Sequence, residues 1–289
     1  MAEVIFLRTT RLGTVMNTSY RLTRPLMRFA LILGAVLTCL SGVQLFVLTE
    51  RTADFFAWTI AAGSSATTIG AFYWTACVLS YLSWRRQPWV RARVGVPGVT
   101  LFLWATLFTT LMHLDKFHFA GSPSGQFAAW AWLVIYVLDP VLVTLALFLQ
   151  WRTQGVDPPA AGNLHLIYRI VLVCSGVTFA VLGLVMLVLP GLAVSGAPWP
   201  LTPLTSRAIG SWVLAMGVVF LTMAWENDVD RIQPAAVASL VLPLLLCVGL
   251  VRYWGQFTWG VAGWAYASTI LLLVSIGIWG FFPRGRSGL

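Results

Sequence analysis

The chain has 289 residues, 59% of them hydrophobic and only 9% charged, with a formal net charge of +9. A soluble domain carries roughly 25% charged residues and gives its helices a polar face, so this composition excludes an ordinary water-soluble protein. The positive charge excludes little by itself, but its placement argues against a nucleic-acid partner, since the basic residues fall at the edges of apolar runs rather than on a basic domain.

Residues 1–26 are polar and basic and read as a cytoplasmic tail, with Met16 a candidate start. The apolar run that follows is long enough to remain as an anchor, so no cleavable signal is expected. Stretches long enough to approach a bilayer crossing then succeed one another: Phe29–Leu48, Thr67–Trp84, Val99–His113, Phe127–Trp151, Ile170–Leu189, Ala208–Trp225, Ala236–Val251 and Val261–Phe282. The predicted fold is therefore all-α, a polytopic transmembrane helix bundle of about eight spans. The third and seventh stretches are the shortest.

With eight spans, Arg51, Lys116, Arg207 and Arg252 fall on one side and the other basic residues, out of 18 in all, on the opposite one. Lys and Arg are retained in cytoplasmic loops. This predicts a plasma-membrane (inner-membrane) protein with both termini in the cytoplasm, its inner arginines facing anionic lipid. The abundance of Arg over a single Lys suggests a bacterial, GC-rich origin.

The two halves of the chain resemble each other. Arg28 and Gly42 recur 141 residues later as Arg169 and Gly183. Ile69-Gly70-Ala71-Phe72 returns as Ile209-Gly210-Ser211-Trp212, and Phe117 as Phe257, at a shift of 140. Ala129-Trp130-Ala131-Trp132 returns as Gly263-Trp264-Ala265-Tyr266 after a shorter loop. An even number of spans per copy makes the repeats parallel. The domains predicted are a first four-helix repeat at 27–152, a cytoplasmic linker at 153–168 and a second repeat with a short tail at 169–289. Gly34 and Gly42, Gly176 and Gly183, and Gly210 and Gly217 each share a helix face, as close packing between spans requires. The tryptophans and phenylalanines near 55–58, 199 and 254–259 read as an interfacial belt, with docking of a partner as the alternative.

Little in the chain points to chemistry. Cys39, Cys77, Cys174 and Cys247 lie inside spans and form no Cys-x-x-Cys pair. Asp139 is the one acid predicted deep in a span, and intramembrane acids face bundle interiors or water-filled paths. Pro140 beside it removes an amide donor, freeing the carbonyl of Tyr136. Trp132, Tyr136 and Asp139 share a helix face. With no basic residue at that depth, the carboxyl is expected to be protonated or held by hydrogen bonds from Gln44, Tyr136 or a Ser or Thr. A proton- or ligand-binding site around Asp139, Tyr136, Trp132 and Gln44 competes with a structural carboxyl at a proline. The repeat counterpart of Asp139 is about Leu273. His113, Asp115 and His118 are weak candidates for a zinc site, with a spacing that matches no strong motif and with Lys116 among them. The acids of Glu226-Asn-Asp228-Val-Asp230 read as a solvated helix end, and His165 as a lone loop residue. No phosphate-binding loop, nucleophile elbow, haem-ligand pair or intramembrane lysine is present, so no cofactor is expected. The expected role is a non-enzymatic accessory or interaction protein of a membrane complex, with a partner protein or a second copy as its associate. A small transporter or channel using Asp139 is the alternative, and a membrane enzyme the remotest.

Overall fold

The computed structural model describes residues 20–281. Met16, Arg8, Arg11, Arg284, Arg286 and the last residue of the eighth expected stretch lie outside them. The described chain is all-helical. Helix α1 (Pro25–Gly42) continues through a π-helical segment, Val43–Val47, and a short α2 (Thr52–Phe55) follows. Helix α3 covers Gly63–Trp84. A short α4 (Trp89–Ala92) runs through one 3-10 turn into α5 (Val96–Met112). Then come α6 (Pro123–Trp151), α7 (Leu166–Val188), the short α8 (Pro190–Ser195), α9 (Pro203–Glu226), α10 (Gln233–Arg252) and α11 (Val261–Phe281).

Among the described residues, seven helical segments are long and apolar enough to cross a membrane: Pro25–Val47, Trp89–Met112, Pro123–Trp151, Leu166–Val188, Pro203–Glu226, Gln233–Arg252 and Val261–Gly280. Helix α3 is as long, at 22 residues, and carries no charged side chain. Its serines, threonines and tyrosines hold its hydropathy below that of the others, and most of them are buried. It packs between α1 and α10.

The helix ends lie where local chemistry puts them. Proline occupies the first turn of α1, α6, α9 and α10, where no amide donor is needed. The side chains of Ser122 and Thr202 accept from the first-turn amides of α6 and α9. These caps start α6 four residues, and α9 five residues, before the onset expected from apolarity, because Pro-Ser-Gly and Pro-Leu-Thr-Ser are helical without being strongly apolar. Helix α9 stops at Asn227, whose φ of 45° is left-handed. His165 caps α7 by accepting from the amide of Ile167, so it is not an idle loop residue.

Helix α1 packs on α3 and α5 on α6, as α7 packs on α9 and α10 on α11. The two groups are joined by α3 against α10 and α5 against α9. Helix α7 approaches the backbone of α9 closely: a Cβ on Gly183 would lie 2.3 Å from the amide nitrogen of Leu214, and one on Gly210 would lie 2.7 Å from Cβ of Met186. Helix α3 meets the end of α1 in the same way, Gly70 lying against Leu45 and Phe46 as Gly210 lies against Met186 and Leu187. Between the groups, Phe72 of α3 and Trp212 of α9 stack on each other, with centroids 5.8 Å apart and an interplanar angle of 7°.

The two ends of the bundle differ. One end, here the aromatic end, carries the turns around Trp58, His113, Trp199 and Trp254. Phe56, Trp58, Trp199 and Phe257 are buried there rather than set out as a belt. Trp58 packs on Phe117 and Trp132 at 5.4 and 5.0 Å, and Trp199 packs on Phe257 and Tyr266, both at 5.1 Å. The amide of His118 donates to Ala57 and that of Thr258 to Pro198. The indoles fold inward because each loop is pinned over its own helix pair by one of these bonds.

The opposite, arginine end is closed by ion pairs. Glu226 is no solvated helix terminus: its side chain is fully buried, paired with Arg93 at 2.5 Å and with Arg231 at 3.5 Å. Asp230 pairs with Arg86 and Arg91, and Asp157 with Arg93. Asp228 accepts from the amides of Ala161, Gly162, Asp230 and Arg231. A basic turn between α3 and α5 thus meets an acidic turn between α9 and α10, and the segment before α7 is drawn in with them. These arginines face acids of the protein itself, so they serve internal pairing as well as any topology signal. The segment before α1 is held here too, the amides of Arg21 and Thr23 donating to Val156 and Gln87.

Candidate functional site

Asp139 sits near the middle of α6, which runs unbroken through Pro140. Trp132, Tyr136 and Asp139 lie on the buried face of that helix, as their spacing requires. The Trp132 indole donates to Thr110 Oγ1 of α5 at 3.0 Å. The Tyr136 hydroxyl lies 2.6 Å from that of Tyr73 on α3. Asp139 follows one turn further, at the wall of two small cavities of about 60 and about 30 Å³. Each has room for water, whose share of liquid volume is about 30 Å³.

The surroundings of the carboxyl are polar but uncharged. Ser80 lines both cavities, Thr38, Ser41 and the two tyrosines line the larger, and Ser83 the smaller. No Lys or Arg lines either one. Asp139 Oδ1 and Ser83 Oγ are both buried and both lack a hydrogen-bond partner. Buried polar atoms are normally satisfied, by protein or by ordered water. An unpaired acceptor and an unpaired hydroxyl on one cavity therefore define a place where a bound water or a small polar group completes the bonding.

Gln44 does not join this cluster. It lies in the π-helical segment at the aromatic end and donates to the Phe55 carbonyl at 2.8 Å, closing the turn onto α2. Tyr73, Ser80 and Ser83 do join it, though reading α6 alone could not reveal them. Their signal is the recurrence of hydroxyls on α3, a helix that carries no charge.

The candidate metal ligands are dispersed. His113 Nε2 accepts from Arg207 Nη1 at 2.7 Å, Asp115 pairs with Lys116, and His118 is held by Thr59 and the Phe56 carbonyl. Burial, and next the Arg207 charge, hold the His113 pKa below the usual histidine value, which favours the neutral ring that Arg207 requires. Among the described residues no group of three His, Cys, Asp or Glu is placed to hold a metal ion.

The interior among α7, α9, α10 and α11 is different. Helix α11 packs Tyr266, Ile270 and Leu273 into it. Here an apolar cavity of about 410 Å³ opens among α7, α9, α10 and α11, lined by Phe179, Val213, Met216, Leu246, Tyr266 and Leu273 among others.

No protein-family model, no curated protein and no solved structure matches this chain. The residues and their geometry carry the functional reading.

Proposed function

We propose that this chain is an eight-span membrane protein, built from two parallel four-helix units, that binds a proton or a small polar ligand at Asp139. In this reading α3 is the eighth crossing. Its Ser and Thr lower the hydropathy without adding charge, and they face neighbouring helices instead of lipid. The duplication is supported by the matched packing of α1 on α3 with α7 on α9, and by matched residues in those contacts. It is supported also by Phe72 and Trp212, which are counterparts in sequence and stack on each other between the units. A bacterial inner membrane, with the arginine end in the cytoplasm, accords with the distribution of basic residues.

The observation that carries the binding reading is the unpartnered Asp139 carboxyl oxygen facing the same cavity as the unpartnered Ser83 hydroxyl. A carboxyl in the middle of an apolar bundle is costly. One retained without a cation or a complete set of hydrogen bonds contributes little to stability, which favours exchange with a proton or a ligand. Infrared difference spectroscopy of the purified protein should reveal a carboxyl band that titrates with pH and is missing from folded Asp139→Asn. Proteoliposomes should show a proton flux that the variant lacks. A folded Asp139→Asn with the same band and the same flux would overturn the reading; an unfolded one would make the carboxyl structural.

The accessory-protein reading rests on a separate feature. Trp254, Trp259 and Trp264 form a ladder at the aromatic end, with successive centroids 4.2 and 5.4 Å apart, and Trp254 and Trp264 are exposed. Indoles also suit the headgroup level, so native mass measurement in mild detergent separates docking of a membrane partner from anchoring in lipid.

A further inference from the structure

The two units differ at the aromatic end in a way that leaves hydrogen-bond donors without acceptors. In one half, the N-terminus of α3 is closed by protein groups. Gln256 Oε1 accepts from the amide of Ser64 at 3.0 Å, and the Trp199 indole donates to Ser65 Oγ at 2.8 Å. In the other half, the same positions along the chain are Lys116 in place of Gln256, Leu204 in place of Ser64, Trp58 in place of Trp199 and Thr205 in place of Ser65. Two of these positions no longer offer a free acceptor. Lys116 has none to offer. Thr205 Oγ1 is already engaged by the Thr202 hydroxyl at 2.9 Å. Trp58 is 2% exposed, and its indole N–H is buried without a partner.

These residues surround a pocket of about 300 Å³ lined by Trp58, Thr59, His113, Lys116, Pro203 and Leu204, with Thr202 at its edge. The start of α9, a helix of 24 residues with no acid in its first turn, opens onto it. Pro203 has no N–H, and the amides of Thr205 and Ser206 donate to the hydroxyl and carbonyl of Thr202, so of the first amides that of Leu204 is left, with the partial positive charge of the helix end, to favour an anion. Lys116 adds a full charge at the rim. Arg207 stands behind His113, bonded to its ring and to the Leu187 carbonyl. No acid lines the pocket; Asp115 pairs with Lys116 at 2.9 Å, but both side chains are about two-thirds exposed and the pair is weak.

We propose that this pocket binds a small oxyanion of the phosphate or carboxylate class, held by the α9 N-terminus, the Trp58 indole and Lys116. The anion supplies the acceptor oxygens that Gln256 and Ser65 supply in the other half, and Lys116 turns from Asp115 to meet it. This site lies at the aromatic end, apart from Asp139, and does not depend on the proposed binding there. A free anion and the phosphate of a lipid headgroup present the same chemistry to it.

The test uses the full chain with ¹⁵N-labelled tryptophan, the Trp58 indole resonance being identified by its loss in Trp58→Phe. Titration with inorganic phosphate or acetate in neutral detergent should move that resonance saturably. Lys116→Gln, which restores the residue type of the closed half, should weaken the response by roughly tenfold, as loss of a charge-assisted hydrogen bond implies. Asp115→Asn should strengthen it by freeing Lys116. If the physiological source is a lipid, nanodiscs containing phosphatidylglycerol should move the resonance where phosphatidylcholine nanodiscs do not, with free phosphate acting as a weak competitor. No saturable movement with phosphate, acetate or phosphatidylglycerol would overturn the proposal, as would an equal response in Lys116→Gln.

Discussion

Glu226 holds Arg93 and Arg231 from two different segments while its own side chain is fully buried. Removing one partner of a buried ion pair leaves the others desolvated and unpaired, at a cost of about 3–5 kcal/mol. Glu226→Gln keeps the shape and abandons Arg93 and Arg231 to Asp157 and Asp228, so it should lower stability by about 3 kcal/mol in thermal or denaturant unfolding in detergent. Asp54→Asn is the control. Its pair with Arg51 is exposed on both sides, and exposed pairs contribute about 0–1 kcal/mol. Equal effects of the two substitutions would mean that the buried cluster is not what closes the arginine end. Asp139 presents the opposite case among buried acids, a carboxyl surrounded by hydroxyls and by no cation. One acid stabilises a junction; the other is left available.

Helix pairs in lipid gain nothing from hydrophobic attraction and associate by close packing, which is where the glycines enter. At Gly183 a methyl group would meet the backbone of α9, at 2.3 Å from Leu214 N and 2.7 Å from the Gly210 carbonyl. Neither atom can rotate away. At Gly34 the nearest neighbour is the Ser80 hydroxyl, at 3.9 Å. Gly183→Ala should therefore separate α7 from α9 and cost about 1–3 kcal/mol or more, while Gly34→Ala should be neutral or slightly stabilising through helix propensity. A protein melting alike in both variants would show that α7 is not held through this seam. The helices themselves were readable from apolarity, and Gly42, Gly176, Gly183, Gly210 and Gly217 were readable as packing residues, though Gly34, read with them, has no close neighbour, because bilayer length and small-residue spacing are local properties. The partners of Asp139 on α3 were not readable, nor was the burial of Glu226. Both depend on which helices become neighbours, and sequence spacing on one helix does not report that. Gln44 failed for a different reason: its carboxamide donates to the Phe55 carbonyl and is used up within the connection from α1 to α2. Trp58 and Trp199 looked like belt residues because an indole near a helix end is ordinarily interfacial. Their inward placement depends on loop hydrogen bonds from residues about 60 positions away in the chain.

The number of crossings decides how the halves are related. With α3 crossing, each half has four spans and both run in the same direction, so the basic turn of one can face the acidic turn of the other at a single end. Arg86, Arg91 and Arg93 do meet Glu226 and Asp230 there. Without α3 as a crossing, the segments before and after it would lie on one side, although its 22 residues reach roughly 31 Å at ~1.5 Å each, enough to span a hydrocarbon core of about 30 Å. Ala53 and Gln87 flank α3 and are exposed. In intact spheroplasts or oriented vesicles, Ala53→Cys should react with a membrane-impermeant maleimide from the non-cytoplasmic side and Gln87→Cys from the cytoplasmic side. Gly255→Cys, at a position with no neighbour for its Cβ within 4 Å, should label with Ala53→Cys, and Ala160→Cys with Gln87→Cys. If Ala53→Cys and Gln87→Cys label from the same side, α3 does not cross and the parallel duplication fails with it. If they label from opposite sides but Ala53→Cys reacts from the cytoplasm, the eight crossings stand and only the orientation inferred from the arginines reverses.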